Sequence, residues 1–343
     1  MSLSDAINWF GDGLIISNLF FWIAGKIGLC SLVPTISTAV VYGIALHIMH
    51  DFKKHTGRGN VLFITTYIVC MLHLFYIINN VRNICAFSII IYAAYRDIIE
   101  KKRGFITYFL YVMPCFIHKT GFLIVAVRLL SILGTKFLPV YGLVSVFIPL
   151  GIRLAYAHLD QISASNNISK IIRHTIGSAY GYVFENSREW TEIVQKSISQ
   201  RVSRIVWIFF LILVVFSECK AIRQASEPAL KKYHSFVLML GWISLVSAIV
   251  ILDDGYWRFA TATAIAYIPT VSCLVSGKQF KINVNSLFFF PLIGTMGMLL
   301  FLHIMYDRWL VRIVDLCVNA SSMTVIHIIL KLVLKIFDIW SLT

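Results

Sequence analysis

Residues 104–135, with the sequence GFITYFLYVMPCFIHKTGFLIVAVRLLSILGT, form two apolar runs joined by the polar break His118-Lys119-Thr120-Gly121. Since crossing the hydrocarbon core of a membrane takes about 20 apolar residues, this stretch is too long for one untilted span and short for two. The pattern therefore predicts a helical hairpin whose tip lies just inside one membrane face. An imidazole and an ammonium group at that depth need water, a partner or an anionic ligand, so His118 and Lys119 are candidates for a functional site. An ordinary polar turn at the membrane interface is the competing interpretation.

The composition excludes a soluble globular domain. Hydrophobic residues make up 59% of the chain and charged residues 13%, whereas soluble domains carry about 25% charged residues. The net charge of +14 comes from Lys and Arg spread over short loops, which is typical of membrane topology and gives no indication of a nucleic-acid partner. We predict an all-α, polytopic membrane protein with about 10–12 transmembrane helices, in which residues 1–343 form a single domain.

The distribution of basic residues assigns the two sides of the membrane. Loops at 51–60, 101–103 and 218–232 are basic, so the positive-inside rule places them in the cytoplasm. The opposite helix ends then lie on the outer face. Residues 156–200 contain no spanning run, and their apolar residues recur with helical spacing. This pattern predicts an amphipathic, lid-like segment on the outer surface.

Charged and titratable groups that the cytoplasmic loops leave unexplained collect on the predicted outer face. They are Arg82, His118, Lys119, Arg153, Asp253, Asp254 and Arg258. The planar guanidinium of arginine presents a fork of donors that fits phosphate oxygens and keeps its charge in a low-dielectric site. The set therefore predicts a pocket for an anionic ligand that is part lipid and part sugar, such as a lipid-linked diphosphate sugar.

These residues also have structural interpretations. Arg82 could be a helix-end or headgroup cation, and Arg153 could extend along apolar surface to the interface. The charges within 253–258 could pair with one another, and Tyr256 and Trp257 could belong to an interfacial aromatic belt. The sequence has no metal-ligand motif, so we predict no metal and no cofactor.

Three elements occur in a specific order: Asn79-Asn80-Val81-Arg82-Asn83, then Lys101-Lys102-Arg103, then Phe116-Ile117-His118-Lys119-Thr120-Gly121-Phe122. Over residues 60–135 the chain resembles the EpsG-like, Wzy-type family of bacterial exopolysaccharide and O-antigen polymerases. That family has an Arg-Gln pair opening one span, a basic cytoplasmic turn and then a Phe-His-Lys-Ser/Thr hairpin. The later Tyr256-Trp257-Arg258 resembles its Arg-Tyr/Phe element.

The chain departs from the family pattern in two places. Asn83 replaces the family's Gln, which keeps the amide but shortens its reach. Family members also have an earlier span and an outer loop with an Asp, for which Asp5 and Asp12 are the nearest counterparts.

The resemblance implies a lipid-carrier-dependent glycosyltransferase of the bacterial inner membrane. Such an enzyme transfers a glycan from undecaprenyl diphosphate to an acceptor repeat unit at the periplasmic face, with membrane lipid around it and a chain-length regulator as a protein partner. The reaction needs stabilisation of a departing diphosphate and deprotonation of a sugar hydroxyl. We predict that His118 is the base, with Asp253 or Asp254 as alternatives. The predicted substrate-binding residues are Arg82, Asn83, Lys119, Arg153, Tyr256 and Arg258.

Two other functions stay open. A flippase or other multi-helix transporter also uses charged groups among its helices, although the sequence shows neither an internal repeat nor Gly- or Pro-broken helices at matching places in both halves. A membrane O-acyltransferase built around His118 would need a second polar motif for its acyl donor, and we find none in the sequence.

Overall fold

A computed structural model describes residues 14–132, 150–159, 198–250 and 256–276, with a few positions between and beyond these ranges (147, 169, 172–173, 176–177, 180–181 and 297). All regular elements in these residues are helices, and no strand occurs among them. The predicted all-α class is therefore confirmed for the described part of the chain. Most of the predicted amphipathic segment at 156–200, and both Asp253 and Asp254, lie outside it.

The described helices are numbered here in chain order. They are α1 Ile15–Ile27, α2 Leu32–Thr56, α3 Val61–Met71, α4 Leu74–Asn79, α5 Val81–Ile98, α6 Phe105–Val112, α7 Gly121–Ile132, α8 Ile198–Gln224, α9 Pro228–Val250, α10 Tyr256–Ala266 and α11 Ile268–Ser276. Residues 150–157 are helical as well. Within these ranges, α2, α8 and α9 are the three helices long and apolar enough to cross a membrane, which indicates a membrane protein.

The helical hairpin predicted over 104–135 is present. Helix α6 continues as the 3-10 turn Met113–Phe116, the chain turns at 117–120, and α7 follows from Gly121 to Ile132. Both arms pack against α5. Gly121 allows the tip of the hairpin to approach α5 closely, because a Cβ at this position would lie 3.1 Å from Cδ1 of Ile90 and 3.3 Å from Cα of Cys115.

Helix α5 lies at the centre of the described bundle. It contacts α2, α6, α7, α9 and α10, and most of its side chains are buried. A helix that is apolar nearly all round is expected to pack on all sides. One of its aromatic side chains, Phe87, stacks on Phe259 of α10 with ring centres 5.5 Å apart. Helix α5 therefore connects the hairpin to α10.

Two interruptions of the helices lie near α5. The apolar stretch 61–78 is divided, because α3 ends at Met71 and α4 begins at Leu74. His73 has extended backbone angles, and the backbone carbonyl of Leu72 accepts a hydrogen bond from the Tyr42 hydroxyl. Within the polar residues 79–83, a single residue separates α4 from α5.

The large cytoplasmic loop predicted at 218–232 is wrong. Helix α8 continues to Gln224 and α9 begins at Pro228, so only residues 225–227 connect them. Glu218, taken as the first loop residue, is fully buried. Its carboxylate accepts a hydrogen bond from Thr270 and contacts His234. A buried carboxylate is tolerated inside a helix bundle when both oxygens have such partners.

Candidate functional site

Helices α5, α7 and α10 begin at the same end of the molecule. Asn83 lies in the first turn of α5, Arg258 in the first turn of α10, and His118 in the turn that leads into α7. The first four backbone N–H groups of a helix have no partner within it, and the helix dipole is positive there. Such ends attract anions. The sequence thus brings three positive helix ends to one place.

The Asn83 side chain connects the other two residues of this cluster. Its amide nitrogen donates to the His118 ring, where it lies 2.8 Å from Nδ1 and also reaches Nε2, and its oxygen accepts from Arg258 at 3.0 Å from Nη1 and 3.2 Å from Nε. The amide orientation follows from these partners, because the reverse would set donor against donor. Asn83 is buried. A neutral amide in this position gives each neighbour one hydrogen bond without cancelling the charge of Arg258.

His118 lies in the turn at 117–120, outside the three helices that can span a membrane. Its Nδ1 is hydrogen-bonded to Thr120 Oγ1. The backbone N–H of Thr120 also donates to Nδ1, at 3.3 Å, so Nδ1 is the unprotonated nitrogen that accepts hydrogen bonds. Burial, and then the positive charges of Arg258, Arg82 and Lys119, lower the pKa of His118 to about 3. The imidazole is therefore neutral at neutral pH and has one nitrogen that can accept a proton.

Tyr256 lies beside the cluster and packs between helices. It is buried, and the guanidinium carbon of Arg204 lies 5.2 Å from the centre of its ring, which is a cation–π distance. The neighbouring Trp257 is also buried and stacks on Tyr76 with ring centres 4.5 Å apart. These two aromatic residues are therefore packed between helices, and their interpretation as a lipid-facing aromatic belt is wrong.

Arg204 is a nearby cation that sequence reasoning missed. Its Nε donates to the carbonyl of Ala248 at 2.8 Å, so it joins the start of α8 to the end of α9. In the sequence it stands three residues after Arg201 at the start of an apolar run, which is the position of an ordinary topology marker. No local pattern in the sequence pairs it with Tyr256, which stands 52 positions later.

The structure brings together five of the nine predicted site residues. Arg82, Asn83, His118, Lys119 and Arg258 share one cluster. Tyr256 is two residues from Arg258 in the same helical turn. Arg153 is exposed on the helical residues 150–157 and is not one of the cations whose charge acts on His118. Asp253 and Asp254 lie outside the described residues, so the alternative base stays a prediction.

No family model, curated protein or solved structure matches the chain. A function therefore has to be argued from the chemistry of the cluster itself. Guanidinium and ammonium groups at helix N-termini are suited to bind phosphate oxygens. A neutral imidazole among them is suited to accept a proton from a hydroxyl group.

Proposed function

We propose that the chain is a polytopic glycosyltransferase of the bacterial inner membrane that polymerises a surface polysaccharide. It transfers a glycan from undecaprenyl diphosphate to an acceptor repeat unit at the periplasmic face. The observation that supports this most is the position of His118 among Arg82, Lys119 and Arg258 at the N-terminal ends of three helices. A diphosphate matches such a site in charge and in its several acceptor oxygens.

The reaction is a displacement at the anomeric carbon of the donor sugar. The bond from that carbon to the diphosphate oxygen breaks, and the acceptor hydroxyl oxygen forms the new bond and loses its proton. Arg82 and Arg258, with support from Lys119, stabilise the charge that develops on the leaving diphosphate. His118 takes the proton at its unprotonated ring nitrogen. The residues thus separate the two tasks of leaving-group stabilisation and proton removal.

Asn83 holds the site in this arrangement. Its amide donates to the imidazole and accepts from the Arg258 guanidinium. When substrates bind, the acceptor hydroxyl replaces the amide as the partner of the imidazole, and a phosphate oxygen replaces it at the guanidinium. Because the amide is neutral, this exchange requires no separation of an ion pair.

The proposal is tested by the surface polysaccharide of the native host. We compare the gene deletion with the deletion complemented by wild type, by His118→Ala or by Arg82→Ala. The control variant is Arg223→Ala, which removes an exposed arginine near the C-terminal end of α8. We expect single repeat units on the lipid core in the deletion and in both site variants, and a full ladder with wild type and Arg223→Ala. Immunoblots of membranes establish that each variant is present.

A full ladder in either site variant at normal protein level contradicts the proposal. Loss of even the single-unit band in the deletion contradicts it too, and favours a flippase. One observation is consistent with that alternative. The helical region 256–276 is broken between α10 and α11, just before Pro269, and broken helices occur in transporters.

A further inference from the structure

A second buried polar cluster lies far from His118. Glu218 follows Arg204 by 14 residues on α8, which is about 21 Å along the helix. Glu218 and Thr270 are fully buried and His234 is almost so. His234 Nδ1 lies 2.7 Å from Oε2 of Glu218, and the Thr270 hydroxyl donates to Oε1. We call Glu218, His234 and Thr270 the Glu218 triad.

The triad adjoins the break between α10 and α11. Two carbonyls close to the break, at Ala264 and Ala266, accept hydrogen bonds from Tyr67 at 2.9 Å and Tyr233 at 3.0 Å. Pro269 has no N–H to continue the helix. Side chains from α3 and α9 thus bind the backbone beside the break. In membrane proteins, such breaks commonly lie at ion-binding sites.

Helices α8 and α9, which carry Glu218 and His234, are two of the three described helices that can cross a membrane. An ionisable pair inside such helices is costly, so it is a candidate for an ion or proton site. With a neutral imidazole the triad carries one negative charge. One added proton removes that net charge and leaves the contacts of Glu218 with His234 and Thr270 in place.

We propose that the Glu218 triad is a proton-binding site at which the chain takes up and releases one proton, about 20 Å along α8 from Arg204. The proton enters the hydrogen-bonded pair of carboxylate and imidazole, and no other bond is made or broken. The proposal goes beyond the glycosyltransferase function and does not depend on it. By the positive-inside rule the site lies nearer the cytoplasmic face.

Among the described residues, few other groups near the triad can exchange a proton. Those on which the Glu218 charge acts are hydroxyls and thiols, which are ordinarily neutral at neutral pH: Tyr67, Tyr233, Tyr267, Cys219 and Cys273. Arg58 contacts the Cys273 sulfur at 3.8 Å, and Arg223 is exposed near the end of α8. Both guanidinium groups stay charged. The carboxylate of Glu218 and the imidazole of His234 are therefore the groups of the triad that can accept the proton.

The test measures proton uptake by the purified full chain in lipid nanodiscs as the pH is lowered from mildly alkaline to mildly acidic. Infrared difference spectra of the carboxyl C=O band are recorded in parallel. Glu218→Gln keeps the size of the side chain and can still accept from Thr270. Glu227→Gln removes an exposed carboxylate from the same connection between α8 and α9 and serves as the control. We expect Glu218→Gln to take up about one proton fewer per chain than wild type, and Glu227→Gln to keep the buried-carboxyl signal of wild type.

Equal proton uptake and unchanged spectra in Glu218→Gln would overturn the proposal. Thr270→Val provides a second test if Glu218→Gln does not fold. Losing a hydrogen bond to the charged carboxylate favours the protonated form, so uptake should begin at higher pH in Thr270→Val, and an unchanged onset counts against the site. Release of the proton on addition of sodium at fixed pH would identify a metal cation as the ligand instead.

Discussion

At the scale of single residues, Asn83 fixes the positions of His118 and Arg258 in the candidate site. It offers one donor to His118 and one acceptor to Arg258 from a buried position. An aspartate there would accept from Arg258 but would also form an ion pair with it and reduce its attraction for an anion. The neutral amide therefore fits a site that has to bind a negatively charged ligand.

The charge of Lys119 sets part of the acid–base behaviour of His118. The positive charges of Arg258, Arg82 and Lys119 all lower the pKa of His118, so Lys119→Gln should raise it. A base has to be unprotonated, and activity is therefore lost as the pH falls through the pKa of His118. We expect the acid limb of kcat/KM, measured for polymerisation in membrane preparations, to move to higher pH in Lys119→Gln. Lys232→Gln, exposed at the start of α9, is the control. An acid limb that does not move, or moves to lower pH, would contradict the role of His118 as base.

At the scale of elements, the hairpin was predictable and the interruptions elsewhere were not. A polar break between two apolar runs is a local signal, and it identified the turn at His118. The division between α3 and α4 has no such signal, because His73 stands alone in an apolar run. Glu218 was predicted to be a loop residue from its local sequence alone. Its partners His234 and Thr270 are 16 and 52 residues away, and no local pattern shows that they meet.

Asp97 fastens the base of the hairpin to the end of α5. It accepts hydrogen bonds from Arg128 of α7 and, at 2.8 Å, from Arg103 in the segment before α6. The side chains of Arg128 and Asp97 are only 9% and 14% exposed, so breaking their pair leaves a buried charge uncompensated. We expect Asp97→Asn to lower the free energy of unfolding by about 3–5 kcal/mol. Chemical unfolding in detergent measures this change.

A double variant separates the ion pair from simple packing. Asp97→Asn with Arg128→Met removes both charges and should cost less than Asp97→Asn alone. Lys232→Gln is the control, because Lys232 is exposed at the start of α9, and its replacement should hardly change stability. If the double variant is no more stable than Asp97→Asn, the pair does not hold the hairpin in this way.

At the scale of the whole molecule, the gathering of these charges was predictable while their contacts were not. The positive-inside rule predicted that Arg82, His118 and Arg258 share one face. In the structure Asn83 joins His118 to Arg258, and the charge of Arg82 acts on His118. His118 and Arg258 are 140 positions apart in the chain, so their meeting depends on how α5 packs against both the hairpin and α10. The sequence pattern does not predict this tertiary packing of α5.

Helix α8 offers the most direct test of this orientation. Arg201 and Arg223 are exposed near its two ends, and 22 residues of helix separate them, which is about 33 Å and enough to cross the hydrocarbon core. We expect Arg201→Cys to react with a membrane-impermeant maleimide on intact spheroplasts, in a chain whose native cysteines are replaced by serine. Arg223→Cys should react only after permeabilisation, because its end carries the basic connection to α9 and faces the cytoplasm. Full labelling of both after permeabilisation is the control for reactivity. Labelling of both variants on intact spheroplasts would show that α8 does not span the membrane. Labelling of Arg223→Cys alone on intact spheroplasts would place the His118 cluster in the cytoplasm, where a periplasmic polymerase cannot act.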